Sequence, residues 1–186
     1  EEKLENSVKP ESYKSDSKNV VAIGNLSSRK GFDNLLKVFN NLKDKNIILH
    51  ILGDGKDKEL LYLLKQDLGL ENVIFHGVQK NPYPFLKFAD LFILSSRYEG
   101  FPNVLLEAGA CGTYSLANNC KGGINEIIQP KINGEISDIE NQKEFAEKIL
   151  EVLEQTHNKE SIRNSIQSRF SKEIILDKYF EVFNSM

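Results

Sequence analysis

The chain has 186 residues, 40% hydrophobic and 27% charged, enough apolar material for one sizeable core, which excludes the disordered and fibrous classes. The 24 Lys and Arg against 27 Asp and Glu leave a net charge of -3, so the chain lacks the basic surplus that binding to nucleic acid or an anionic membrane favours, and any phosphate site must be local. The 2 cysteines, Cys111 and Cys120, form no CxxC and accompany only 3 histidines, which excludes a disulfide scaffold or zinc site and reads as reduced, structural thiols.

Residues 1–18 are charged, contain Pro10 and show no apolar period, so they read as a poorly ordered linker or leader before a domain spanning 19–186. From Asn19 the pattern alternates. A β-branched run at Val20–Leu26 precedes Phe32, Leu35, Leu36, Phe39 and Leu42 at helical spacing, and a run at Ile47–Leu52 precedes a helical stretch at Leu60–Leu68. Strand Val73–His76, a short helix at Tyr83–Phe88, strand Leu91–Leu94, helix Asn103–Ala110, strand Tyr114–Ala117 and a helix near Asn125–Gln129 continue the rhythm. After Asn133-Gly134, residues 141–156, 158–169 and 172–183 are all helical in period. Strands apolar on both faces belong in a parallel sheet covered by helices. The expected fold is α/β: a doubly wound, mostly parallel six-stranded Rossmann-like sheet with helices on both faces and a helical C-terminus. No run approaches the ~20 apolar residues of a membrane helix and no secretory signal is present, so a soluble, cytoplasmic protein is expected.

A doubly wound sheet binds its ligand beyond the carboxyl ends of its strands, so the loops there should carry the chemistry. Asn25-Leu26-Ser27-Ser28-Arg29-Lys30-Gly31 brings two hydroxyls and two cations to a helix start, which suits an anion or serves as an ordinary capped turn. Gly53-Asp54-Gly55 invites a dinucleotide reading, but the third glycine of GxGxxG is replaced by Lys58, and a tight turn accounts better for the pair. In Ser95–Ala108, a strand runs into a polar loop and Pro102 opens a helix, where its missing N–H does no harm. Glu107 stands inside the apolar helical run Val104–Ala110, a costly place for a carboxylate without a partner, and Glu99 lies just before that helix. Lys121-Gly122-Gly123 precedes another helix, as a flexible turn or as part of the site.

Taken in order, the segments IGNLSSRKGFDNLL, ILGDGKDKEL, VIFHGVQKNPYPFLKFADLFILSSRYEGFPNVLLEAGACG and KGGINEIIQPKINGE resemble the C-terminal, donor-binding domain of the family-four (group 1) retaining glycosyltransferases, whose fold is called GT-B. The most specific feature is the pair Glu99 and Glu107, separated by seven residues inside EGFPNVLLEA. The resemblance implies that Glu107 binds the ribose hydroxyls of a UDP- or GDP-linked sugar. It places Glu99 near the donor sugar and diphosphate, with the backbone of Gly100, Phe101, Asn103 and Val104. Lys30 would stabilise charge on the departing diphosphate, making Lys30 and Glu99 the catalytic candidates, while Gly77 and Val78 would hold the base.

One position departs from the family pattern: Asn25 stands where an arginine shares the diphosphate, so Arg29 must reach round to replace it or phosphate binding weakens. No Asp-x-Asp motif occurs, and the family implies metal-independent chemistry without a cofactor, the departing phosphate deprotonating the acceptor. The resemblance also implies a second doubly wound domain that binds an acceptor glycan or lipid-linked glycan, without which this chain is expected to bind nucleotide but transfer sugar poorly. Peripheral association with the inner face of a membrane is compatible with the whole enzyme. The segment Ser171–Met186, with Ile174, Ile175, Tyr179, Phe180 and Phe183, looks like the helix that returns to that domain. A non-catalytic nucleotide-sugar-binding module working with a separate acceptor-domain partner is the alternative; a dehydrogenase-type domain is disfavoured by the missing glycine fingerprint.

Overall fold

The computed structural model describes residues 7–184; residues 1–6 of the expected leader and 185–186 of the expected last helix lie outside the described residues. Six strands, β1 (Lys18–Ile23), β2 (Ile47–Leu52), β3 (Val73–Gly77), β4 (Leu91–Leu94), β5 (Ser115–Asn118) and β6 (Gly134–Ser137), form one sheet in the order β3-β2-β1-β4-β5-β6. All neighbours pair in parallel. The strand order reverses between β1 and β4, where Val20 lies opposite Leu91, and such a switch point opens a crevice beyond the strand ends.

The period of two along the strands divides the core into two halves. Val20 and Ala22 of β1 and Leu91 and Ile93 of β4 face one cluster; Val21, Phe92 and Leu94 face the other. Helices α1 (Phe32–Asn40), α2 (Lys58–Asp67) and α6 (Gln142–Glu154) cover the first face with Leu35, Phe39, Leu61, Phe145 and Ile149. Helices α3 (Tyr83–Phe88), α4 (Asn103–Ala110), α5 (Ile124–Ile127) and α7 (Lys159–Phe170) cover the second with Leu86, Leu105, Ile127 and Ile166. Helix α8 (Lys172–Asn184) buries no residue, and Leu176, Tyr179, Phe180, Val182 and Phe183 are exposed. No described helix is long and apolar enough to cross a membrane.

Two features differ from the sequence expectation. Periodicity does not mark strand β6, because Gly134-Glu135-Ile136-Ser137 holds one apolar side chain; pairing with β5 makes it a strand. A side-chain carbon on Gly134 would sit 2.5 Å from the Ser115 carbonyl, so the close approach requires glycine. The segment expected as leader is tethered from Tyr13 onward. The Tyr13 ring is buried against His50, its hydroxyl donates to the Phe85 carbonyl at 2.8 Å, and Lys18 already opens β1.

His50 explains how that tether is held. Asn19 Nδ2 donates to the carbonyls of Lys14 and Ser17, so Asn19 Oδ1 faces the buried imidazole and accepts from His50 Nε2–H at 3.1 Å. His50 Nδ1 is then the acceptor for His76 Nε2–H at 3.0 Å. A directed chain of hydrogen bonds runs from β3 through β2 and β1 into residues 14–17, and a second proton on His50 would set two donors against each other. Burial and the adjacent His76 push His50 down to about 3. His50 is therefore neutral when folded but titrates near ~6.5 when unfolded. Stability is expected in full above about pH 6.5 and to fall as the pH drops toward 3, by up to about 1.4 kcal/mol per unit. Denaturant unfolding at pH 7.5, 6.0 and 5.0 checks this: a His50→Gln variant should be less stable at pH 7.5 yet lose less on acidification, and equal slopes would place the dependence elsewhere.

Candidate functional site

The switch point brings together the turn after β1 and the loop after β4. Ser28–Lys30 form a single 3-10 turn that ends at Gly31 in the left-handed region, φ 65°. A Cβ there would lie 2.2 Å from the Ser95 carbonyl, so only glycine lets this turn lie against the β4 strand end. Lys30 Nζ reaches Glu99 Oε1 at 2.5 Å and Arg29 Nη1 approaches Glu99 Oε2 at 3.3 Å. The Ser96 hydroxyl also donates to Glu99 Oε1, at 2.6 Å.

Glu99 keeps only 6% of its side chain exposed, so these partners offset the cost of removing a carboxylate from water. Burial pushes the Glu99 carboxyl up, but the Lys30 ammonium, the Ser96 hydroxyl and the Arg29 charge together hold it below the usual carboxylate range. The two cations after β1 therefore converge on one anion, with Arg29 beside Lys30 despite the uncharged Asn25. The Asn25 side chain is exposed and makes no hydrogen bond among the described residues.

The loop carrying Glu99 is held from the other side by the turn after β5. Glu99 N–H donates to the Lys121 carbonyl at 3.2 Å, and Gly123 N–H to the Gly100 carbonyl at 2.7 Å. A Cβ on Gly122, whose φ is 131°, would fall 1.8 Å from the Glu99 carbonyl. Lys121-Gly122-Gly123 is thus a packed support for the Glu99 loop rather than a loose turn. Ser96 and Asn118 belong to the same support: Asn118 Nδ2 donates to the Ser96 carbonyl at 2.9 Å, while Asn118 Oδ1 accepts from Ile139 N–H at 3.0 Å. Sequence reasoning missed these two residues; the available signal was polar residues at the ends of otherwise apolar strands.

Glu107 presents the opposite situation. It lies on α4, half-buried, and its carboxylate makes no hydrogen bond or ion pair among the described residues. Burial alone pushes its carboxyl up. An unpaired acceptor in a partly dry setting is primed for a neutral diol or similar donor pair. Ahead of α4, the amides of Gly100 and Phe101 donate to no described residue, whereas the Asn103 amide is already given to the Phe101 carbonyl at 3.0 Å. A Cβ on Gly100 would meet nothing, Phe101 is exposed and edge-on to Phe170, and the half-buried Val104 packs on the second core cluster.

Beyond the cations, a crevice of about 300 Å³ runs across the ends of β1, β2 and β3, lined by Gly24, Asn25, Gly53, Val78, Gln79 and Pro82 among others. Gly77 adopts φ 66° with open space around it, and Val78 is 72% exposed. Gly53 serves backbone contact: its Cβ would lie 1.9 Å from the Gly24 carbonyl. The Gly53-Asp54-Gly55 turn packs on the β1 loop, with Leu26 N–H donating to Asp54 O at 2.9 Å, which agrees with the tight-turn reading. The crevice, the cation pair and Glu99 lie along the carboxyl edge of one sheet, and Glu107 lies on the helix that leaves this edge after β4. This arrangement can bind an elongated ligand with an anionic centre and a hydroxylated end.

Comparison with known proteins narrows the assignment. The lipopolysaccharide core biosynthesis glycosyltransferase LpsE of Rhizobium meliloti (strain 1021) is 32% identical over 171 residues, covering 89% of this chain and 49% of LpsE. The apo structure of the lipopolysaccharide outer core galactosyltransferase WaaB superposes with a TM-score of 0.84 at 25% identity, over 98% of this chain and 54% of WaaB. A variant of S. aureus TarM, solved with fondaparinux, alpha-GlcNAc-glycerol and UDP, superposes with a TM-score of 0.82 at 27% identity, over 95% of this chain and 37% of TarM. The chain thus spans about half the length of LpsE and WaaB. The profile of the family described as "Glycosyl transferases group 1" matches residues 5–169, and the chain belongs to that family of GT-B glycosyltransferases.

Proposed function

We propose that the chain is the donor-binding half of a retaining glycosyltransferase that takes a sugar from a UDP- or GDP-linked donor and passes it to a glycan or lipid-linked glycan. The observation that carries this reading is Glu107: a half-buried carboxylate without a partner among the described residues, on the helix that follows the loop where Glu99 meets a cation pair. On this reading the ribose hydroxyls donate to Glu107, the diphosphate meets Lys30 and Arg29, and the base lies in the crevice beside Gly77 and Val78. The UDP-bound TarM structure adds support for a uridine nucleotide.

In transfer, the bond from the anomeric carbon to the phosphate oxygen breaks as the acceptor oxygen attacks from the same face, and the acceptor proton passes to the departing phosphate. Lys30 stabilises the charge that grows on that phosphate. To do so it exchanges, or shares, the Glu99 carboxylate, which is thereby placed next to the donor sugar. Phosphate charge is met by Lys30 and Arg29, so nucleotide binding is expected to survive EDTA without a bound metal or cofactor. Acceptor contacts belong to a second doubly wound domain, for which the exposed apolar face of α8 is the support, and the whole enzyme works in the cytoplasm or at the inner face of a membrane. The donor half alone is then expected to bind nucleotide with little or no transfer.

Calorimetric titration with UDP, GDP and uridine tests the reading. Glu107→Gln should weaken UDP binding by roughly ten- to a hundredfold, in line with the loss of a charge-assisted hydrogen bond of about 1.5–3 kcal/mol; full-strength binding in Glu107→Ala would overturn the ribose assignment. Lys30→Ala should weaken UDP but leave uridine unchanged, and equal losses for both would remove Lys30 from the phosphate. The pH dependence has a definite sign. Because burial raises the Glu107 carboxyl in the free protein, uridine affinity should fall as acidification protonates it, and this fall should vanish in Glu107→Gln.

A further inference from the structure

The cations that meet Glu99 sit on a turn with little side-chain packing of its own: the 3-10 turn Ser28–Lys30 contains no buried residue. What fixes it is the neighbouring loop. The three successive carbonyls of Ser28, Arg29 and Lys30 each accept a hydrogen bond from residues 95–97: Arg97 Nη1 to Ser28 at 2.6 Å, Arg97 N–H to Arg29 at 2.8 Å and the Ser95 hydroxyl to Lys30 at 2.8 Å.

Arg97 is itself anchored. Its guanidinium forms a two-pronged pair with Asp33, Nη1 to Oδ1 and Nη2 to Oδ2 at 2.7 Å each, and Asp33 stands in the first turn of α1. The pair borders a hollow of about 310 Å³ that includes Phe32, Leu61 and Leu64, and with both side chains about a third exposed its value lies in geometry rather than in strong attraction. A planar fork anchored at two oxygens fixes direction as well as distance, which a lysine cannot do.

Arg97 touches neither Lys30 Nζ nor the Glu99 carboxylate, yet it holds the backbone that carries both cations and lies two residues before Glu99 in the facing loop. We propose that Arg97, anchored by Asp33, is a positioning residue that sets where the Arg29 and Lys30 cations stand relative to Glu99, and thereby the strength with which the site holds a nucleoside diphosphate. The phosphate part rests on the donor-site reading above; the cation geometry does not.

The experiment therefore has two arms. In the ligand-free protein, carbon-13 NMR of the Glu99 side-chain carboxyl follows its titration in wild type, Asp33→Asn, Arg97→Ala and Arg97→Lys. Removing the Asp33 charge would by direct electrostatics lower the Glu99 midpoint, so a rise of about 1 unit in Asp33→Asn, the scale set by losing a nearby opposite charge, reports displaced cations. Arg97→Ala should behave alike and Arg97→Lys should recover less than half. An unchanged or lowered midpoint in folded Asp33→Asn, which preserves side-chain shape if Arg97→Ala fails to fold, overturns the inference.

In the second arm, UDP affinity should fall five- to tenfold in Asp33→Asn while uridine affinity holds, and equal losses for both ligands would mean general distortion and overturn positioning. Wild-type protein that binds neither UDP nor GDP would sink the donor-site reading, with the Glu99 midpoints still deciding the role of Arg97.

Discussion

A carboxylate taken out of water must find its counter-charge nearby, and in this chain the requirement falls on Glu99. Its two cationic partners lie on another strand's loop, Lys30 being 69 positions away. Leaving such a group buried and unpaired costs several kcal/mol, so the ion pair, the left-handed Gly31 and the adjacency of β1 and β4 depend on one another. The sheet order supplies the adjacency, Gly31 allows contact, and the carbonyl ladder from Ser28 to Lys30 keeps the turn in register. On the far side, Gly122 and Gly123 bring the β5 turn against the same loop with no side chain between. Glu99 is therefore gripped between the two halves of a doubly wound sheet.

The two glutamates, with seven residues between them, serve opposite electrostatic ends. Glu99 is saturated by Lys30, Arg29 and Ser96 and held below the ordinary carboxylate range, whereas burial without compensation raises Glu107. A saturated anion among cations is a place where phosphate can exchange for carboxylate; an unsaturated one is a place where neutral hydroxyls can be bound. On the proposed reading both chemistries are wanted along one nucleotide sugar, and the contrast gives the proposed donor site its polarity.

Strong periodicity made most of the fold legible. The runs at Ile47–Leu52 and Leu91–Leu94 and the helices at Tyr83–Phe88 and Asn103–Ala110 lie where apolar spacing and Pro102 place them, because burial on both faces of a parallel strand demands continuous apolar side chains. Two features carried no such mark. Strand β6 is defined by its neighbour and by a glycine that clears the Ser115 carbonyl. The tether at Tyr13 is a polar chain through Asn19, His50 and His76, residues far apart in the chain that only the alignment of three strands brings together.

The spacing of Glu99 and Glu107, the cations before Gly31 and the glycines of the strand-end turns were legible in the amino-acid sequence, since each is a local pattern read along a few residues. So was the family, which those patterns share with longer enzymes. Which cation meets which carboxylate was decided only by the tertiary structure. Ion pairing depends on distance through space, and Arg29 and Lys30 meet Glu99, and Arg97 meets Asp33, only because β1 and β4 become neighbours at the point where the strand order reverses. The same reason separates a glutamate satisfied by cations from one without a partner among the described residues: burial and partnership are properties of the folded neighbourhood, and a motif does not contain them.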